Sequence, residues 1–320
     1  MINSTSLSSN FLDEKFTNIV VWYALSISIC IFGSIGNLFC GLLVYFTKVL
    51  WKRPIYRILL GIILPDFISN SICIPYEATQ SFYRIYLNEV SGNDTSCMIE
   101  ATVFIMVLSI SNNNQMIAAS YRLCAVISPL KFKIISTVRL ATILILSISF
   151  TPVVLYFIGG INTLIWYKIH PIIGDCSEYS LNTQLDNLRN SLFQFIPTLI
   201  SVLCYVGIII RIILVGSDTN IRNTILKRAR GSLALGVSMT VYSTCILLYW
   251  TDYNSTDYGN NLKSNLWKKF AIRASYGIAP LFYLTLDNNI KESWISILQK
   301  TKTKKRKIIS IILKSDKSTT

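Results

Sequence analysis

The chain has 320 residues, of which 52% are hydrophobic and only 14% charged, where an ordinary soluble domain carries about 25% charged residues. With a mean hydropathy of +0.49, this excludes a soluble enzyme or binding module of average composition and points to a multi-pass membrane protein. The formal net charge of +14 would suit a nucleic-acid partner, but the placement of the basic residues assigns it to membrane sidedness, and no nucleic-acid partner is expected.

Residues 1–18 are polar and lack a basic start, so they read as an extracellular N-terminal tail, with the first span itself acting as the insertion signal. Apolar stretches of roughly the 20 residues that cross a bilayer then follow one another. The first runs from about Ile19 to Phe46 and the second from Ile58 to Phe82, interrupted by Asp66 and Glu77. The third runs from Cys97 to Ile127, and the fourth starts after Arg139 and ends near Trp166. The fifth lies between Arg189 and Arg211, and the sixth runs from Ser232 to Trp250. The seventh runs from Leu266 to Leu286, where Arg273 shortens the uncharged run to Ala274–Leu286. The expected fold is therefore an all-α membrane protein. A seven-transmembrane helix bundle would occupy residues 19–288, and a short amphipathic helix with a basic cytoplasmic tail would occupy 289–320.

Seven spans put the termini on opposite sides. One side would hold 22 of the 30 Lys and Arg, among them Lys48, Lys52, Arg53, Arg57, Lys131, Lys133, Arg139 and the nine after Leu286. That side is expected to be cytoplasmic and the N-terminus extracellular, in a multi-pass plasma-membrane protein. The basic run from Lys300 to Lys307 fits contact with anionic lipid. Three N-x-S/T glycosylation triplets, at Asn3, Asn93 and Asn254, all fall on the opposite side. Of the eight cysteines, only Cys97 and Cys176 lie outside the membrane on that oxidising side, which predicts a disulfide between them. The single histidine, His170, lies in a loop. No His/Cys/carboxylate cluster suggests a metal and no nucleophile–base constellation suggests an enzyme.

The third span closes on Ser120–Phe132, SYRLCAVISPLKF. Arg122, Ala125, Val126, Pro129, Leu130 and Phe132 fall on a pattern that resembles the end of the third helix in rhodopsin-like (class A) G-protein-coupled receptors, D-R-Y-x-A-I/V-x-x-P-L-x-Y/F. Tyr121 stands where that family has an acid and Leu123 where it has Tyr. Further points of resemblance are Gly36-Asn37, Asp66, the 25 residues from Cys97 to Arg122, and Pro197 with Tyr205. Ala279-Pro280-Leu281-Phe282-Tyr283 resembles N-P-x-x-Y with its Asn lost. LTLDNNIKESW resembles the family's turn into a membrane-surface helix, with Ile290, Trp294 and Ile297 on one apolar face. Span four lacks the family's Trp and span six lacks C-W-x-P. These departures, with R-x-C-A-V-x-x-P-L-K-F, look like the divergent serpentine chemoreceptors of nematodes, closest to the class X type.

The resemblance implies a receptor, chemosensory in kind, that passes an extracellular small-molecule or peptide signal to a heterotrimeric G protein. Arg122, Tyr205, Pro280 and Tyr283 would form the switch. Asp66 and Ser111, with Asn37, would hold a sodium ion; alternatively Asp66 is protonated and hydrogen-bonded to Asn37 and Ser111. The ligand pocket would be lined by Glu77, Glu100, Phe104 and Arg273. Phe104 stands where amine receptors carry Asp, and Arg273 where opsins carry the retinal lysine, so neither a biogenic amine nor a retinal Schiff base is expected. Arg273 either pairs with Glu77 or receives an anionic ligand. The run Asn112–Gln115 covers every face of a helix, so part of it is expected to bond neighbouring helices. The alternative function is a membrane transporter or channel, against which seven unlike spans without repeated halves count.

Overall fold

The computed structural model describes residues 4–87, 94–161, 165–169, 176–180, 191–214 and 262–299, with a few positions between 236 and 244. It is built almost wholly of helices. Helix α1 spans Ser4–Phe46, α2 Lys48–Trp51, α3 Pro54–Ile68, α4 Ile74–Leu87 and α5 Asp94–Ile127. Helix α6 spans Pro129–Ile135, α7 Val138–Ile161, α8 Ile196–Leu214 and α9 Leu262–Leu286. A last helix, α10, covers 288–299. The first helix starts well inside the polar segment 1–18, because no Gly or Pro interrupts the chain between Ser4 and Phe32.

Prolines set the irregular turns. Pro75 lacks an N–H, so the carbonyl one turn earlier loses its partner, and the π-helical turn Ser69–Cys73 precedes it and joins α3 to α4. The π turn Ser191–Phe195 precedes Pro197 in the same way. Helix α7 ends at Ile161, short of the expected Trp166. Gly159-Gly160 weakens its end, and the aromatic, β-branched segment Ile165–Ile169 forms a strand instead. That strand, β1, pairs antiparallel with β2 (Cys176–Ser180), Trp166 standing opposite Tyr179.

Among the described residues, four helical stretches are long and apolar enough to cross a bilayer: Thr17–Phe46, Pro54–Tyr86, Val138–Tyr156 and Ser191–Leu214. They leave large apolar side chains such as Ile35, Leu146, Phe150 and Ile213 exposed, as hydrocarbon solvent permits and water does not. The expected third and seventh spans are helices, α5 and α9, but are too polar to join that set. The run Ser111–Gln115 interrupts α5, and Lys263, Lys268, Lys269 and Arg273 interrupt α9. The expected sixth span lies mostly outside the described residues. So do Asn3, Asn93, Asn254, His170 and the basic run after Gln299.

Among the described residues, two apolar clusters tie α1 to its neighbours. One gathers Leu43 and Val44 of α1, Tyr56, Leu59 and Ile62 of α3, Tyr283 of α9 and Ile290 of α10. The other gathers Ile19 and Trp22 of α1 with Ala78 of α4 and Leu266 of α9. Between them α1 and α9 touch backbone to backbone. A Cβ on Gly33 would stand 2.7 Å from the Gly277 Cα, and one on Gly36 would stand 2.8 Å from the Pro280 Cβ. Small residues here replace apolar side chains as the means of helix contact, as lipid-embedded interfaces require.

Candidate functional site

Helix α5 carries the polar features of the core along its length. Near its start, Cys97 is disulfide-bonded to Cys176, which ties the β hairpin to the helix. Near its other end, the Arg122 side chain is buried, and its Nε has no hydrogen-bond partner. Tyr205 of α8 lies within electrostatic range of Arg122, and its buried hydroxyl also lacks a partner. Tyr283 is buried in the same half of the bundle, among the α1 and α3 side chains. Tyr121, which stands beside Arg122, is turned elsewhere. Its hydroxyl hydrogen-bonds Ser136, just past α6, and its ring packs edge-on against Phe132.

Midway along α5 the polar core closes on Asp66. The Ser111 hydroxyl donates to Asp66 Oδ1 at 2.6 Å, and Gln115 Nε2 donates to the same hydroxyl at 3.3 Å. Asn37 is fully buried, but neither its oxygen nor its nitrogen forms a hydrogen bond. The expected Asn37–Asp66 hydrogen bond is therefore absent, while the Ser111 one is present. Asp66 Oδ2, Asn37 Oδ1 and Asn70 Oδ1 are three buried oxygens without hydrogen-bond partners. Oxygen donors of this kind are what a hard cation takes. Sequence reasoning missed Asn70, although it sits four residues after Asp66 on the same helical face. No group of three or more His, Cys, Asp or Glu that could hold a metal occurs among the described residues.

The polar run of α5 has a definite structural use at Asn114. Its Nδ2 donates to the Gly61 carbonyl of α3 at 2.9 Å and to Ser149 Oγ of α7 at 3.0 Å. One side chain thus binds three helices together. A Cβ on Gly61 would come within 3.2 Å of the Asn114 amide, so the glycine is what lets it approach.

At the disulfide end lies a cluster of buried charges. Arg273 Nη2 of α9 stands 3.0 Å from Glu77 Oε2 of α4, and Lys269 Nζ stands 4.0 Å from Glu77 Oε1. Arg84 Nη2 stands 3.5 Å from Glu100 Oε2, and Arg84 Nη1 stands 3.4 Å from the Cys176 sulfur. The Arg273 guanidinium also lies over the Trp22 ring, 4.8 Å from its centroid, in cation–π contact. Of the expected pocket residues, the structure thus pairs Glu77 with Arg273 and brings Glu100 into the same electrostatic network. Phe104 packs with Leu108, Tyr276 and Ile272. Sequence reasoning missed Arg84 and Lys269. The signal was there in helical spacing: Arg84 is seven residues after Glu77, and Lys269 is four before Arg273, so each lies on the face of the residue already chosen.

No protein-family model matches the chain, and no curated protein matches it.

Proposed function

We propose that the protein is a seven-transmembrane receptor of the rhodopsin-like kind, chemosensory in role, that transmits an extracellular ligand signal to a heterotrimeric G protein across the plasma membrane. The observation that supports it best is the layout of α5. The disulfide at Cys97 and the buried Arg122 are 25 residues apart, about 38 Å along a helix at 1.5 Å per residue. That separation matches a bilayer of about 40 Å with its headgroups. Both ends lie on one rigid element, and the Asp66–Ser111 polar core lies between them. A helix of this kind carries a change at its disulfide end to its Arg122 end if the bundle has two packings that a ligand binds unequally. Arg122, with Tyr205 and Tyr283 as partners and Pro280 loosening α9, would be the part that meets the G protein. The unpartnered oxygens of Asp66, Asn37 and Asn70 would hold a sodium ion in one packing.

The test is guanine-nucleotide exchange. The full chain in lipid nanodiscs, mixed with purified heterotrimeric G proteins, should accelerate exchange, and members of an odorant and peptide panel should raise it further. Arg122→Ala at matched folding should abolish both effects. Absence of exchange on every G-protein class, with and without the panel, would reject the receptor reading in favour of the transporter or channel.

A further inference from the structure

The corner where α1 meets α2 and α3 is basic and open to its surroundings. The sequence holds no Asp or Glu between Glu14 and Asp66, and Lys48, Lys52, Arg53 and Arg57 all fall in that gap. Lys48, Lys52 and Arg53 are exposed, and none of the four forms an ion pair with a described acid. Lys52 N–H donates to the Lys48 carbonyl at 3.2 Å, so the two lysines stand one helical turn apart on one face. The Arg57 guanidinium lies on the Trp51 ring, 3.1 Å from its centroid, and its Nε donates to the Trp51 carbonyl at 3.2 Å. Stacking occupies the flat face of a guanidinium and leaves the N–H groups of its outer edge for a bidentate acceptor. The Tyr45 ring packs edge-on against both Trp51 and Phe46, and Tyr45, Phe46 and Val49 are 57%, 71% and 62% exposed. Exposed aromatic rings beside a set of cations suit the border between acyl chains and headgroups.

We propose that this corner binds the headgroup of a phosphoinositide in the cytoplasmic leaflet. Two phosphomonoesters bring about three to four negative charges. Four cations with no acid among them match that charge, whereas a singly charged headgroup leaves most of them unmatched. Arg57, held flat on Trp51, would grip one phosphate with its fork, and Lys48 and Lys52 would supply point charges for the other. Tyr45, Phe46 and Val49 would lie against the acyl chains. Arg53 donates to Asn289 Oδ1 at 2.9 Å, so the site adjoins the start of α10. This is the end of the bundle that holds Arg122, which lies within electrostatic range of Tyr56. The site is separate in sequence from the basic run after Gln299. The proposal rests on the receptor reading only for the leaflet that this end faces, and binding itself needs neither that orientation nor coupling.

The experiment titrates the purified full chain in detergent with a short-chain phosphatidylinositol bisphosphate. Phosphatidylserine, phosphatidylinositol and inositol trisphosphate without acyl chains serve as comparisons. The bisphosphate lipid should bind saturably and about tenfold more tightly than each of the three. Lys48→Gln combined with Lys52→Gln should weaken it about 25-fold, about fivefold for each basic residue withdrawn from an anionic lipid. Arg57→Lys and Trp51→Leu keep every charge, so a patch that serves only membrane sidedness predicts no change in either. The proposed site predicts a loss of about fivefold in both, because the fork or its support is gone. Gln at Lys304, Lys305, Arg306 and Lys307 together should leave the saturable binding intact. Melting temperatures establish that each variant is folded, and if Trp51→Leu is not, Arg57→Lys decides the matter by the same readout. Unchanged binding in both Arg57→Lys and Trp51→Leu would overturn the proposal. So would equal binding of phosphatidylserine or of the free headgroup, or a loss confined to the variant of the basic run. Lipid binding without nucleotide exchange would leave the site standing and reject the receptor reading. Exchange without lipid binding would do the reverse.

Discussion

The Tyr56 hydroxyl donates to Asp287 Oδ1 at 2.9 Å, joining α3 to the turn between α9 and α10. The same oxygen accepts from the backbone N–H groups of Asn289 at 3.0 Å and Ile290 at 3.3 Å, so Asp287 is the N-cap of α10. Arg53 adds a second tie, donating to Asn289 Oδ1 at 2.9 Å. Asp287→Ala should destabilise the protein by about 1–2 kcal/mol, as loss of an N-cap does, and Tyr56→Phe by about 1 kcal/mol. Melting in detergent checks both. Equal melting of Asp287→Ala and the parent chain would show that the cap does not hold α10.

The contact between α1 and α9 makes a sharper prediction, because two glycines of α1 and α9 differ in surroundings. A Cβ on Gly277 would stand 2.6 Å from Ile29 Cγ1 and 2.8 Å from the Ile29 backbone oxygen, so the helices would have to part. A Cβ on Gly41 would meet Ile63 Cγ2 at 3.5 Å, an ordinary contact. Gly277→Ala should cost about 1–3 kcal/mol, whereas Gly41→Ala should cost nothing and gain helix propensity. The two melting temperatures, measured side by side, must differ in that order.

What the sequence made legible was mostly apolar length and chain punctuation. The second and fifth expected spans coincide with apolar helical stretches to within a few residues, because a run of apolar residues bounded by charge has few other solutions, whereas the third and seventh are helices too polar to count as spans. The pairing of Cys97 with Cys176 was legible too, since sidedness left no other candidates. The fourth helix stops short of Trp166, which has the look of an interfacial anchor, because Ile165–Ile169 satisfies its backbone in a hairpin. Arg84 and Lys269 were hidden by their position near span ends, where a basic residue ordinarily snorkels to water. Their helical spacing puts them on the faces of Glu77 and Arg273, and packing shows that they turn inward to Glu100 and Glu77. Asn37 forms no hydrogen bond with Asp66, and no spacing rule states which of two buried polar groups will meet.

The disulfide predicts a pattern of non-additivity. Cys97→Ser and Cys176→Ser should each lower surface expression, to a similar extent, by freeing the hairpin from the start of α5. The double variant should be no worse than either single one, as two residues acting as a unit require. A double variant clearly below both would mean that each cysteine also acts alone.

The proposed topology has its own check. Enzymatic removal of N-glycans should shift the mobility of the expressed chain, and replacing Asn3, Asn93 and Asn254 together should abolish the shift. A C-terminal tag that antibodies reach on unpermeabilised cells would reverse the orientation.

The last prediction concerns Tyr121 and Arg122, adjacent residues with separate surroundings. Tyr121 is held by Ser136 and Phe132, so the acid that restrains this arginine in the resembling family has no counterpart at that position. Arg122 is buried, and its Nε and the Tyr205 hydroxyl each lack a hydrogen-bond partner within electrostatic range of each other. On the proposed receptor reading, Arg122 then has candidate active-packing partners in Tyr205 and Tyr283 but no acidic neighbour at position 121 to restrain it. Ligand-independent nucleotide exchange should therefore be measurable, and Tyr121→Asp should lower it by supplying a charge-assisted partner for Arg122. Tyr121→Phe removes only the Ser136 hydrogen bond and should leave that basal exchange unchanged or raised. Arg122→Ala should abolish exchange at matched surface expression. Arg122→Lys separates the switch from simple anchoring. A lysine reaches the headgroups as an arginine does but lacks the planar fork that engages several acceptors at once. An anchoring arginine predicts full exchange in Arg122→Lys, and a switching one predicts a loss approaching that of Arg122→Ala.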